Sequence, residues 1–195
     1  MNTTRLEAFS DAVIAILITI MVLEFKIPHS ADLAALRPLI PVFLTYVLSF
    51  VMLGIYWNNH HHFLHITQHV NGRILWANLH LLFWLSMIPF VTGWMGENHY
   101  APMPVAAYGV VLLLSAAAWT VMQEQLIRHC GNDKLAALLG RDWKGKASLV
   151  AYLAAIPLAF VSSWISIGLY VGVALLWLVP DTRIEAHVYR ESGRA

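Results

Sequence analysis

Charge is what this sequence has least of. Only 12% of its 195 residues are Asp, Glu, Lys or Arg, about half of the roughly 25% that soluble domains carry. A water-soluble globular domain is excluded for want of surface. Disorder is excluded too, since it needs low hydrophobicity and high net charge. Cysteine is nearly missing: Cys130 stands alone and cannot close an intramolecular disulfide. With 11 glycines and 8 prolines, neither a collagen-like repeat nor a Pro/Gly-rich low-complexity chain is possible. The formal net charge is only +1, so no basic footprint for nucleic acid exists. No Ser/His/Asp or Cys/His constellation sets a nucleophile beside a base, so neither an enzyme nor a cofactor is expected.

What the chain has is apolar length. The hydrophobic set makes up 59% of the residues, and the mean hydropathy is +0.64. A helix rises about 1.5 Å per residue, so crossing a core of about 30 Å takes about 20 residues. Six apolar stretches can be cut out, at about 6–25, 36–57, 74–95, 105–127, 147–163 and 164–179. Pro38 and Pro41 open the second. The last two are short, separated only by Ser162-Ser163, and read as a tight hairpin. The expected fold is an all-α integral membrane protein, one six-helix transmembrane domain in the lipid bilayer. Thr4 and Glu7 fit a capping box at the start of the first helix. Glu24-Phe25-Lys26-Ile27-Pro28 is a poor cleavage site, so the first segment is expected to stay.

Lys and Arg give the orientation. With six spans, one side holds Arg5, Arg73, Arg128, Lys134, Arg141, Lys144, Lys146, Arg183, Arg190 and Arg194, ten of the 12 basic residues. Only Lys26 and Arg37 fall on the other. Positive residues favour the cytoplasm, so both termini are expected there.

The first helix is the informative one. Its charge-free part, Ala12–Leu23, has twelve residues, or about 18 Å of helix. Asp11 and Glu24 at its ends would face a cost of about 2.5–3.5 kcal/mol each in hydrocarbon. An interior helix whose ends meet water or polar protein avoids that cost. At 100° per residue, Ala12, Ile16, Ile20 and Leu23 fall on one stripe with Thr19 at its edge, and Glu7, Asp11, Ala15, Ile18 and Val22 lie roughly opposite. Packing or lipid contact alone would also explain such an apolar stripe.

Arg5-Leu6-Glu7-Ala8-Phe9-Ser10-Asp11 resembles the R-x-x-x-F-S-D signature that opens the first helix of the transmembrane protein 175 family of endolysosomal potassium channels, which has bacterial homologues. The likeness runs through Thr19–Glu24 to Pro28, and includes Tyr56-Trp57, His60-His61, Leu75-Trp76-Ala77-Asn78-Leu79 and Ile88-Pro89-Phe90. It covers about the first half of the chain; the last three spans carry no recognisable motif. Length and span count resemble the bacterial, single-repeat branch.

The resemblance implies a potassium-permeable leak channel in a bacterial inner membrane, with K+ as the permeant ion. A T-V-G-Y-G carbonyl filter is missing from the chain, so side chains must form the constriction. The family positions that line it match Ile16, Thr19, Ile20 and Leu23. Rings of Ile and Leu gate by dewetting, and the Thr hydroxyl offers an ion an oxygen. One such helix per subunit requires several copies, and the bacterial branch implies a homotetramer closed by cyclic symmetry. Arg5, Phe9, Ser10 and Asp11, with Trp57, His60, His61, Trp76 and Asn78, resemble a structural lock behind the pore. Asp11 there needs a partner, and Arg5, Trp57, Trp76, His60, His61 and Asn78 are the candidates.

Other signals are weaker. His60-His61-His62, His65 and His69 cluster near the second span, and His61 and His65 have metal-ligand spacing, but no Glu or Cys accompanies them and no resident metal is expected. Gly140–Ala147 comes within one residue of a P-loop, yet Ala147 replaces the Ser/Thr that would hold Mg²⁺ and no strand precedes it. Glu24 could ring the outer mouth, with Lys26 positioned to cancel it. Trp84, Trp94, Trp164 and Trp177 fall near span ends, as interfacial aromatics do. The competing reading is a proton-coupled transporter or proton channel using Asp11 and the histidines. Against a transporter, no related pair of broken midplane helices is visible.

Overall fold

A computed structural model describes residues 3–67, 70–130 and 143–178. The basic segment 131–142 with Lys134 and Arg141, the tail from Val179 with Arg183, Arg190 and Arg194, His69, and the side chains of His65 and Cys130 lie outside the described residues. So do Gly140, Arg141 and Asp142 of the P-loop-like stretch, whose remainder from Trp143 is helical.

Among the described residues all regular secondary structure is helical: α1 (Thr3–Leu23), a short 3-10 segment (Leu33–Leu39), α2 (Ile40–Ile66), α3 (Gly72–Ser86), α4 (Ile88–Glu97), α5 (Pro102–Cys130), α6 (Trp143–Leu158) and α7 (Ser163–Leu178). The boundaries follow local chemistry. Pro41 occupies the first turn of α2, where its missing N–H costs nothing. Asn71 caps α3, its Oδ1 accepting from the Ile74 N–H at 3.0 Å. Pro89 opens α4; it cannot donate to the turn behind it, so the third apolar stretch breaks at Met87. Counting α3 and α4 as one broken rod gives six. After α4, His99 and Tyr100 take positive φ, 48° and 62°. That unfavourable pair is held by the Tyr100 hydroxyl, which donates to the Pro41 carbonyl at 3.1 Å. Burial raises this phenol above its ordinary pKa.

Among the described residues four stretches are long and apolar enough to cross a membrane: Thr4–Leu23, Leu33–Leu64, Gly72–Glu97 and Pro102–Arg128. Helices α6 and α7 have 16 residues each and form a hairpin, tied where the Ser166 hydroxyl donates to the Ala155 carbonyl at 2.7 Å. Helix α5 packs against α3, α4, α6 and α7, while α1 lies against α2, α3 and α4. Large apolar side chains such as Phe83, Phe90 and Val150 point outward, as lipid-facing surface requires.

Several polar groups inside the bundle are paired across helices. The Ser49 hydroxyl bridges Thr92 at 2.6 Å and Tyr108 at 2.9 Å, joining α2, α4 and α5. Tyr170 donates to the Val105 carbonyl at 3.0 Å, joining α7 to α5. Such bonds replace the hydrophobic effect, which does not drive helices together in lipid. Helices α2 and α4 touch closely at Gly96, where a Cβ would lie 2.7 Å from both the Val42 Cα and the Thr45 Oγ1. Gly96→Ala is therefore expected to destabilise the fold by about 1–3 kcal/mol, read as a lower thermal midpoint of the purified protein in detergent.

Candidate functional site

Helix α1 has two unlike faces. Leu6, Ser10, Ile14, Leu17 and Met21 are buried against the rest of the bundle, spaced by three or four residues as one helix face requires. Ile16, Ile20 and Leu23 are 55%, 41% and 81% exposed, and Ala12, Ala15 and Thr19 are exposed beside them. No other described part of the subunit covers this face. The wheel drawn from sequence groups the exposed stripe correctly but misplaces its opposite. The buried face is the Leu6–Met21 stripe, and Ala15 and Val22 are exposed. The Thr19 hydroxyl donates to the Ile16 carbonyl at 2.9 Å and the Ala15 carbonyl at 3.1 Å. Its proton is thereby used within the helix, and its oxygen is left as an acceptor.

Behind this face lies a hydrogen-bonded cluster joining α1, α2 and α3. Ser10, Asn78 and His60 are each fully buried. His60 Nε2 lies 2.7 Å from Asn78 Oδ1, Asn78 Nδ2 donates to the Ser10 hydroxyl at 3.0 Å, and Ser10 donates to the Leu6 carbonyl at 2.9 Å. One direction of donation satisfies all three bonds, with His60 protonated on Nε2. His60 Nδ1 is then an acceptor, buried and without a partner among the described residues.

A second, more exposed ladder joins α1 to α2. The Trp57 indole donates to Asp11 Oδ1 at 3.0 Å. One turn further, His61 Nδ1 meets Glu7 Oε1 at 2.8 Å. The Trp57 and His61 rings stack with centroids 6.1 Å apart. Asp11 is thus half-buried at the rim of the polar cluster, and the buried centre is Ser10–Asn78–His60. Glu7 serves His61, and Thr4 sits inside the helix rather than ahead of it, so the capping-box reading of Thr4 and Glu7 does not describe this terminus. Sequence reasoning missed the Glu7–His61 pair. Its signal was present: Glu7 and Asp11 are four apart, as are Trp57 and His61.

Arg5, Phe9 and Trp76 stand outside this cluster within one subunit. Phe9 is 50% and Trp76 75% exposed, and Arg5 makes no ion pair or side-chain hydrogen bond among the described residues. The reason is rotational: Phe9 precedes buried Ser10 by one residue and Trp76 precedes Asn78 by two, so neither shares its neighbour's face. Among the described residues, no three His, Cys, Asp or Glu side chains converge as metal ligands.

At the other end of α1, Lys26 pairs with Glu97 at 2.7 Å, both exposed. The hydrogen bond and charge of Glu97, then the charge of Glu24, raise the lysine above its ordinary pKa. The ammonium therefore persists at neutral pH, and its charge is lost as pH climbs through the raised value. Glu24 packs against Gly93, its Oε2 3.6 Å from where a Cβ would lie, so Lys26 and Glu24 are not partners.

Contacts also sort the basic residues by end. Arg5 and the lock, Arg73 and Arg128 beside Gln125, and Lys144 and Lys146 beside the Asn59 end of α2 share one end of the bundle. Lys26 lies at the other.

Apolar helices of membrane length, outward apolar side chains and inward polar locks define a multi-pass membrane protein. The family profile described as "Endosomal/lysosomal potassium channel TMEM175" matches residues 5–89. A protein designated a potassium channel in Chryseobacterium sp. is 51% identical over 186 residues, covering 95% of this chain and 97% of that one. Another so designated in Streptomyces collinus is 28% identical over 185 residues, covering 89% and 90%. The crystal structure of a lysosomal potassium-selective channel TMEM175 homolog from Chamaesiphon minutus matches with a TM-score of 0.77 at 28% identity, covering 91% of this chain and 96% of that one. The chain belongs to the TMEM175 family, whose named members here are channels and not enzymes.

Proposed function

We propose that this chain is the subunit of a potassium-selective leak channel, a homotetramer in which the exposed stripe of α1 lines a shared axis. Ile16, Ile20 and Leu23 form a hydrophobic neck, wetted when it widens, and Thr19 supplies an acceptor oxygen to the dehydrating ion. The observation that carries this reading is the contrast between the two faces of α1. A membrane helix facing lipid needs no polar anchoring, whereas this one is fixed by two sets of side-chain bonds and presents the opposite face bare. The relatives designated potassium channels supply the ion. The end rich in Lys and Arg is cytoplasmic, in a bacterial inner membrane, by the positive-inside rule.

The test is ion flux. Purified protein in liposomes should pass K+ in preference to Na+ down its gradient, with no proton gradient needed. A second reading, proton conduction, is favoured by a Danio rerio relative designated an endosomal/lysosomal proton channel, 36% identical over 81 residues that cover 35% of this chain and 16% of that one. Flux that requires protons, or that carries them ahead of K+, decides for it.

A further inference from the structure

An open groove of about 740 Å³ runs between α3 and α5, on residues that neither the proposed pore face nor the lock uses. Its walls include Arg73, Trp76, His80, Val121 and Gln125, and no residue of α1. Every charged or titratable group lining it is a donor, and no carboxylate is among the lining residues. Arg73 has no ion-pair partner among the described residues, whereas nearby Arg128 is held by Glu124 at 3.2 Å. His80 Nε2 accepts from the Trp84 indole at 2.9 Å; a neutral His80 therefore carries its proton on Nδ1, a second donor on the wall.

The groove also has a direction. Arg73 is the second residue of α3, and His80 lies seven residues on, about 10 Å deeper. The charge is therefore at the water boundary, and the apolar wall of Trp76, Ala77 and Val121 continues toward the bilayer core. A cation at headgroup level above an apolar trough matches one ligand, an anionic phospholipid.

We infer that this groove holds an anionic phospholipid, with its phosphate at Arg73 and an acyl chain along Trp76 and Val121. The inference needs the bundle to be in a membrane but does not need α1 to line a pore, and its test reads binding without flux. Full-length protein in detergent is titrated with dioleoylphosphatidylglycerol or dioleoylphosphatidylcholine, and bound lipid is counted by native mass spectrometry. The anionic phosphatidylglycerol is expected to bind about fivefold tighter than the zwitterionic phosphatidylcholine, the discrimination one arginine supplies near a charged surface. Arg73→Gln should erase that preference, Val121→Trp should weaken binding by filling the trough, and Arg128→Gln should leave it intact. Equal binding of both lipids, or a preference that survives Arg73→Gln, overturns the inference. Displacement of the lipid by inorganic phosphate alone makes the site one for free anions and also overturns it. So does a disulfide between two copies carrying Gln125→Cys in a Cys130→Ser chain, which would place a neighbouring subunit in the groove.

Discussion

Ile16→Asn is expected to raise K+ efflux from proteoliposomes about tenfold, equivalent to lowering the barrier by about 1.4 kcal/mol. If four copies of α1 surround an axis, this one substitution replaces a ring of four branched alkyl groups by amides. Water wets an amide-lined neck that it leaves when the lining is aliphatic, and the ion need not shed its shell against an unresponsive wall. Leu23→Ala acts in the same direction by widening the mouth. Both side chains are exposed in the subunit, at 55% and 81%, so neither change opens a cavity in the folded chain. The measurement is the initial rate of efflux per reconstituted protein. Unchanged flux in both variants would mean that the stripe faces lipid.

Asn78→Leu is expected to act on the fold instead. Asn78 both accepts from His60 and donates to Ser10, so its loss leaves two buried polar groups without their partners. Each such group costs about 1–3 kcal/mol, somewhat less in a membrane, where the unfolded reference state finds partners of its own. The sum is about 2–4 kcal/mol, to be read as a lower thermal midpoint and a smaller assembled fraction on size exclusion. Asp11→Ala should cost less, about 1 kcal/mol, because Trp57 is partly exposed and water can replace the carboxylate. An Asn78→Leu protein that melts and assembles like the original would show that the cluster is incidental. An Asp11→Ala protein that conducts normally would remove Asp11 from the lock.

The helical class of this protein was legible from charge and hydropathy, because a bilayer tolerates little else than long apolar helices. The exposed stripe of α1 was legible too, since Ile16, Ile20 and Leu23 follow the helical period. Its buried counterpart was not. Along α1 nearly every position is apolar, so period alone cannot separate a face that meets protein from one that meets lipid or a pore. Ser10, the one polar member of the buried stripe, was the clue. The break at Met87 was signalled by Pro89. The Ser49–Thr92–Tyr108 bridge was invisible, because three hydroxyls far apart in sequence carry no spacing rule. Within the lock, residue identity pointed to the right helices, yet rotation decided which of Trp57 and Trp76 reached Asp11.

The two rungs between α1 and α2, Glu7 to His61 and Asp11 to Trp57, act as a detent. Antiparallel helices with partners at matching one-turn intervals can slide only by a whole turn, about 5.4 Å. One way, such a slide would set Glu7 against Trp57 and strand the Asp11 carboxylate at the level of apolar Leu53; the other way it would set Asp11 against His61 and strand the Trp57 indole. Vertical piston motion of α1 is thereby disfavoured, and the low-cost freedom left to it is a tilt pivoting at its Arg5 end, with Leu23 sweeping the widest arc.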